Sequence, residues 1–199
     1  MIPPAACDFL IVGAGAAGSV VAARLARRFP EASVVLLEAG LADPALVNRL
    51  PLAGAFAPFR KGTNWRHPAR QCGREIALMQ GRMPGGSSEI NGMVMSLGAP
   101  ADYRPWQDAA GDLWSPSACF DSFEQIRGTH DAPGPMPGTR LSHPAPLTRA
   151  FIEAAEASGQ PVVPDLNSAE GARFGLVHAN IREGRRHSAR SAYLEPWPE

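Results

Sequence analysis

Three glycines and one carboxylate are the first residues whose types and spacing could do chemistry. Gly13, Gly15 and Gly18 spell G-x-G-x-x-G, and Glu38 follows Gly18 by twenty residues. In such a turn the first glycine permits a tight reversal and the second lets backbone N–H groups approach a pyrophosphate. The acid beyond accepts hydrogen bonds from ribose hydroxyls. A glutamate there would repel the extra phosphate of NADP, and it does not separate FAD from NAD. A second stretch, GRMPGGSSEINGMVMSLG at 81–98, is equally rich in bare backbone. Gly85, Gly86 and Gly92 leave the main chain open to close approach, while Ser87, Ser88 and Asn91 add short polar groups. A flavin and its ribityl chain need an extended path of that kind, whereas a NAD site needs only the first turn. The alternative is a mobile glycine-serine linker, but linkers rarely carry an apolar set such as Ile90, Met93, Val94, Met95 and Leu97.

The elements that would position these residues are readable beside them. Phe9 to Val12 is a continuous apolar run of the kind a doubly buried strand requires. Gly18, Ala22, Leu25 and Phe29 recur at helical spacing, and Val34 to Leu37 is a second apolar run ending in Glu38. Strand, helix, strand and terminal acid together predict a βαβ dinucleotide-binding unit, hence an α/β fold.

Composition bounds the rest. The 199 residues are 45% apolar and 19% charged, an ordinary globular balance with room for one large or two small cores. Nineteen basic residues match nineteen acidic ones, which argues against a nucleic-acid surface. The run FLIVGAGAAGSVVAA is too short and too rich in glycine for a membrane span and has no basic leader, so a cytoplasmic protein is the default expectation. Cys7, Cys72 and Cys119 fit neither a disulfide framework nor a zinc site and read as reduced and structural. His67, His130, His143, His178 and His187 share no metal-ligand spacing and are expected to be structural or superficial, with no metal bound. Trp106, Trp114, Phe120 and Phe123 are expected to pack a core. Residues 128–146 read as an irregular surface connection, and Leu147, Phe151, Ala154 and Ala155 mark one face of a helix stopped by Gly159.

Four segments, DFLIVGAGAAGSVVAARLA, NWRHPARQ, GRMPGGSSEINGMVMSLGAPADYRPW and GRRHSARSAYLEP, stand in the order and approximate spacing of the glucose-methanol-choline (GMC) oxidoreductases. From about Asp8 to Pro196 the chain resembles that family. The third segment is the most specific, because it resembles the family's first signature from Gly85 to Gly92 and then at Asp102, Tyr103 and Trp106. The resemblance implies a Rossmann-like FAD-binding domain, incomplete within these residues, interleaved with the beginning of a substrate-binding or cap region. On that footing residues 1–98 would be FAD-binding. Residues 99–199 would begin the substrate side and return toward the FAD domain.

The family's cofactor contacts carry over residue by residue. Gly13, Gly15, Ala16 and Gly18 would face the pyrophosphate, and Glu38 and Ala39 the adenosine ribose. Met83, Ser87, Asn91, Gly92, Met93 and Val94 would line the ribityl and isoalloxazine path. Members that tether flavin covalently often place a histidine just before this asparagine; Ile90 stands there, so non-covalent FAD is expected. Pro84 replaces a usual aliphatic residue, removing a backbone donor and restricting Met83.

Alcohol oxidation in the family removes the hydroxyl proton to a base, typically a histidine, and passes a hydride to the flavin. The resemblance places that base and the second signature beyond Glu199, so no catalytic residue is expected among the 199. The expected partners are a small-molecule alcohol and a second chain carrying the remainder. A non-catalytic flavin-binding or interaction module is the alternative. A free-standing NAD reductase would need a tyrosine and lysine relay, and Lys61 is the one lysine, four residues beyond neither Tyr103 nor Tyr193.

Overall fold

The computed structural model describes residues 4–41, 46–54, 56–129, 131–167 and 171–196. They form two units, 1–93 with 181–199, and 94–180. The first opens with β1 (Phe9–Val12), α1 (Ala16–Arg28) and β2 (Val34–Leu37). β1 and β2 are parallel, with Phe9 opposite Val34 and Val12 opposite Leu37, and the Gly13 N–H extends the ladder to Leu37 O at 2.8 Å. Asp8 fastens the start of the pair by accepting from the backbone N–H and hydroxyl of Ser33, bonds that hold its carboxyl below the ordinary range. α1 buries Ser19, Ala22 and Ala23, small residues that let it lie close to the strands, while Phe29 caps its end and stacks on Phe9 at 5.6 Å. On these strands Leu10 is 57% and Val12 79% exposed.

Two short helices, α2 (Leu46–Arg49) and α3 (Pro51–Gly54), lead to an antiparallel hairpin of β3 (Asn64–Gln71) and β4 (Arg74–Gly81). Its tip, Cys72 and Gly73, has positive φ at both positions, 49° and 77°, as a type I′ turn requires. Pro84 and Gly85 then make a further turn, closed by the Gly86 N–H to Met83 O at 2.8 Å. Gly85 at φ 89°, ψ −18° has the third-residue geometry of a type II turn, so Pro84 sits where proline is favoured and its missing N–H costs nothing. A 3₁₀ turn over Gly86–Glu89 follows. Met83, Ile90 and Ala57 close a small buried core.

The second unit begins with β5 (Val94–Met95). After it come α4 (Pro100–Ala110), α5 (Pro116–Arg127), β6 (Thr139–Arg140), α6 (Pro146–Ala157) and β7 (His178–Ala179). β7 pairs antiparallel with both β5 and β6. Part of the stretch expected to be irregular is therefore a strand. Backbone pairing with β7 recruits Thr139 and Arg140 despite their poor local signal. Asn167 stitches the unit by accepting from the Leu97 N–H at 2.8 Å and donating to Met95 O at 3.3 Å. The aromatic residues cluster edge-on around Tyr103, 5.4 Å from Trp106, 5.9 Å from Phe120 and 5.8 Å from Phe123. They do not form the buried core expected of them: Trp106 and Trp114 remain 52% and 47% exposed, because the cluster lies between two helices with no third layer over it among the described residues.

The chain returns to the first unit as a tight hairpin, β8 (Ile181–Arg182) and β9 (Arg185–Arg186), and ends in a short π-helical turn over Arg190–Leu194. Among the described residues no helix is long and apolar enough to cross a membrane.

Candidate functional site

The three glycines of the first turn do three different jobs. Gly13 has φ +96°, a conformation closed to most side chains, and permits the reversal out of β1. A Cβ on Gly15 would meet nothing within 4 Å, so its surface is open space. A Cβ on Gly18 would lie 2.0 Å from Gly13 O, so only glycine lets the helix close onto the turn. No side chain caps α1, and its first turn carries no acid, which leaves the backbone N–H groups of Ala16, Ala17 and Gly18 at an electropositive helix start.

Glu38 closes the other side of this turn. Its carboxylate accepts from the Ala14 N–H and the Gly40 N–H, both at 2.8 Å. A carboxylate has about four acceptor positions, so two remain for a ligand. Gly13, Gly15, Glu38 and Ala39 line one cleft of about 570 Å³, together with Val12, Leu37, Trp65, Gln80 and Gly81.

The 81–93 segment is interlocked with this turn through bare backbone. The Gly85 N–H donates to Ala14 O at 2.7 Å, and a Cβ on Gly86 would come within 2.8 Å of Gly15 Cα. Likewise a Cβ on Gly40 would strike Arg82 O at 2.1 Å, and one on Gly81 would strike Gly86 O at 2.2 Å. Ser87 accepts from the Gly81 N–H at 3.1 Å, and the Met83 side chain is fully buried. Gly92 faces open space, and Met93 adopts φ 62°, held by its N–H to Asn91 Oδ1 at 3.0 Å. A left-handed methionine is strained backbone of the kind that accumulates at binding sites. Val94 belongs to the second unit, as the first residue of β5.

Residues outside the two glycine-rich stretches hold this segment in shape. Arg186 is buried and donates to Asn48 O at 2.8 Å, Ser88 O at 3.0 Å, Asn91 Oδ1 at 2.7 Å and Asn91 O at 2.9 Å. Burial pulls its guanidinium below its ordinary range, opposed by the charge of Glu89. Glu89 is buried in turn and accepts from the Ser188 hydroxyl. Burial pushes its carboxyl up, against the Ser188 bond and the charges of Arg190 and Arg186. Ser88 accepts from the Ala189 N–H at 3.0 Å. Arg186 is one of nineteen basic residues, and nothing in its immediate neighbours announces partners up to 138 positions away.

The histidines lie apart. His67 is on β3, His143 bonds Ser142, His178 meets Asp165 at 3.3 Å and His187 meets Ser191 at 3.3 Å, while His130 lies outside the described residues. Burial opposes ionisation of Asp165, yet the Asn167 N–H, Arg127 and His178 outweigh it and hold the carboxyl below its ordinary range. Among the described residues no three of His, Cys, Asp and Glu converge as metal ligands would.

Comparison with known proteins supplies a context for this geometry. A GMC oxidoreductase family model matches residues 7–199. The oxygen-dependent choline dehydrogenase of Rhizobium etli is 34% identical over 200 residues, spanning 95% of this chain and 36% of that protein. The Staphylococcus aureus enzyme of the same name is 33% identical over 205 residues, again with 36% of that protein covered. Among solved structures, pyridoxine 4-oxidase from Mesorbium loti superposes with a TM-score of 0.86 at 35% identity, over 95% of this chain and 39% of that one. An FAD-dependent oxidoreductase from Chaetomium thermophilum shares the fold at a TM-score of 0.77 and 23% identity, over 96% of this chain and 36% of that one. The chain thus spans little more than a third of the length of the relatives it matches.

Proposed function

The chain belongs to the GMC oxidoreductase family, and on that premise we propose that it is the FAD-binding N-terminal part of an enzyme that oxidises a small-molecule alcohol. Members of the family are FAD-dependent oxidoreductases acting on CH–OH donors. The observation that carries the reading is the cleft in which Gly13, Gly15, Glu38 and Ala39 converge, roofed by a glycine-rich segment that touches the same turn backbone to backbone.

The residues present fit an FAD. The open surface at Gly15 and the uncapped start of α1 suit the pyrophosphate, bound by backbone N–H groups without a countercharge. The free acceptor positions of Glu38 suit the ribose hydroxyls, and the bare, strained backbone from Asn91 to Met93 suits the ribityl and ring end. Bound FAD would supply the hydride acceptor for alcohol oxidation. This chain's own contribution is to hold and orient that group, with Arg186 fixing the Asn91 carboxamide and backbone that line its path. The base that takes the hydroxyl proton is assigned to none of these residues.

Two measurements test the cofactor reading. Purified chain incubated with FAD should retain flavin absorbance through gel filtration, and Glu38→Ala should weaken retention by about 1.5–3 kcal/mol, the worth of a charged hydrogen bond. Unchanged retention in a folded variant would remove Glu38 from the site. Because Ile90 stands before Asn91, the flavin is held without a covalent bond, so acid precipitation should leave the protein pellet colourless.

A second reading, a non-catalytic flavin-binding module that works through another chain, is favoured by one observation: Leu10 of β1, outside the cofactor cleft, presents apolar surface that nothing in the described residues covers. It predicts co-purification with a chain bearing the rest of the family's sequence. In either reading the protein acts in the cytoplasm.

A further inference from the structure

Basic and acidic residues balance over the whole chain but not around its last hairpin. Positions 181–190, IREGRRHSAR, carry four arginines and a histidine against one glutamate. β8 and β9 turn on Glu183 and Gly184, at φ 52° and 72°, and this tight turn sets Arg182 directly opposite Arg185. Like charges in facing positions repel, and the register keeps the pair together. Glu183, the acid between them, comes no nearer to Arg182 than 3.9 Å and is exposed. Among the described residues no hydrogen bond or ion pair engages the Arg185 side chain.

The hairpin forms one wall of a pocket of about 590 Å³, closed on its other sides by Arg49 at the end of α2, by Glu89 and by the turn from Ser188 to Glu195. This pocket shares no lining residue with the cleft of Glu38. Five arginines line it and three glutamates, and the glutamates offset little of the charge. Glu195 is taken up by Arg190 at 3.3 Å, and burial drives the Glu89 carboxyl toward its neutral form. Arg186 directs its four bonds to carbonyl and carboxamide oxygens, none of which carries a charge. The base of the pocket is fixed in advance, since Glu89, Arg186 and Ser188 are 3%, 6% and 3% exposed. An entering anion would meet more guanidinium than carboxylate, in a space of the size that takes a small ligand.

We propose that this pocket binds a small oxyanion of the phosphate class, free or carried on a small molecule, with Arg182 and Arg185 as its principal ligands. Guanidinium forks match phosphate oxygens two at a time, and a facing pair can hold one group between them. The anion replaces the repulsion across the hairpin by two attractions. A concave site favours a small ligand over an acidic protein surface, which would need an open face to dock on. The proposal is independent of the cofactor reading, because no residue of the Glu38 cleft takes part in it.

The test is a titration of the isotope-labelled 199-residue chain with inorganic phosphate and, separately, with glycerol phosphate, at a constant ionic strength of about 0.15 M. The backbone amide resonances of Gly184, Arg185 and His187 should shift saturably, with a Kd on the order of 1 mM or below. Arg185→Gln, at an exposed hairpin position, should weaken binding about three- to tenfold, and the Arg182→Gln, Arg185→Gln double variant more than tenfold. Tighter binding of glycerol phosphate would assign the site to a phosphorylated small molecule, and equal binding to the free ion. Hairpin resonances in the wild type that neither ligand moves, or that sodium chloride moves as far, overturn the proposal whether or not the variants fold. A double variant that keeps its spectrum and binds phosphate as the wild type does overturns it equally. Polyglutamate shifting these resonances where phosphate does not would replace it with an acidic protein partner.

Discussion

Gly15 and Gly18 stand three residues apart in one motif and answer to opposite constraints. At Gly15 the backbone is ordinary, with φ −64°, and the space beyond it is empty, so a side chain there is compatible with folding. At Gly18 a single methyl group would collide with Gly13 O. Gly15→Val should therefore fold, with an unfolding free energy within about 1 kcal/mol of the wild type, and lose FAD retention. Gly18→Ala should lose about 3 kcal/mol of stability first, through overpacking. Denaturant midpoints measured beside flavin retention separate the two. Glu89 makes a pH-dependent case. Burial raises its carboxyl above the ordinary 4.5, so the folded state keeps a proton that the unfolded chain releases. Stability then falls as pH rises from 4.5 through the raised value, because the folded state binds more protons across that window. Glu89→Gln should flatten this fall, gaining on the wild type as pH climbs toward neutrality in a series of urea melts. The glycines and Glu38 could be singled out from sequence because their demands lie within one turn and one strand. Arg186 could not, since what makes it matter is its partners far along the chain, Asn48 and Asn91.

At the scale of elements, periodicity served where packing is local. β1, α1 and β2 follow from two short apolar runs and a stripe of small residues, and α6 follows from its helical spacing and the stop at Gly159. Exposure was harder to read. Leu147 and Phe151 lie on the expected apolar face of α6 and are 82% and 63% exposed, so the spacing described the helix and not what covers it. The β3–β4 hairpin carries Arg66, Pro68 and Arg70 on one strand, residues that mask alternation, and it is recognisable only through its pairing. α4 keeps Pro105 in its interior, where the ring removes a donor and crowds the carbonyl of Ala101. Pro105→Ala should raise the stability of the second unit by about 1–3 kcal/mol, seen as a higher thermal midpoint; an unchanged midpoint would mean the helix has already relaxed around the ring.

For the whole molecule, the family assignment and the α/β class were legible because the 81–98 segment combines glycine, polar and apolar residues in an order that few other sites require. The activity of the chain taken alone is a different matter. It spans about 36% of the choline dehydrogenases it matches, and no described residue is placed as a catalytic base. We expect the isolated chain, loaded with FAD, to turn over no alcohol with an artificial electron acceptor; flavin-dependent turnover would show that the chemistry is complete within it.

The Arg186 clamp also sets an order of events in the cell. Its bonds to Asn48, Ser88 and Asn91 span 138, 98 and 95 positions, so the segment roofing the cleft lacks this clamp until residue 186 has left the ribosome. At roughly 5–20 residues per second, the turn at Gly13 waits for several seconds beside an unfastened neighbour. The cleft is thus completed late, only once residue 186 has emerged. A chain stopped short of residue 186 would carry β1, α1 and β2 with the loop above them held by its local contacts alone.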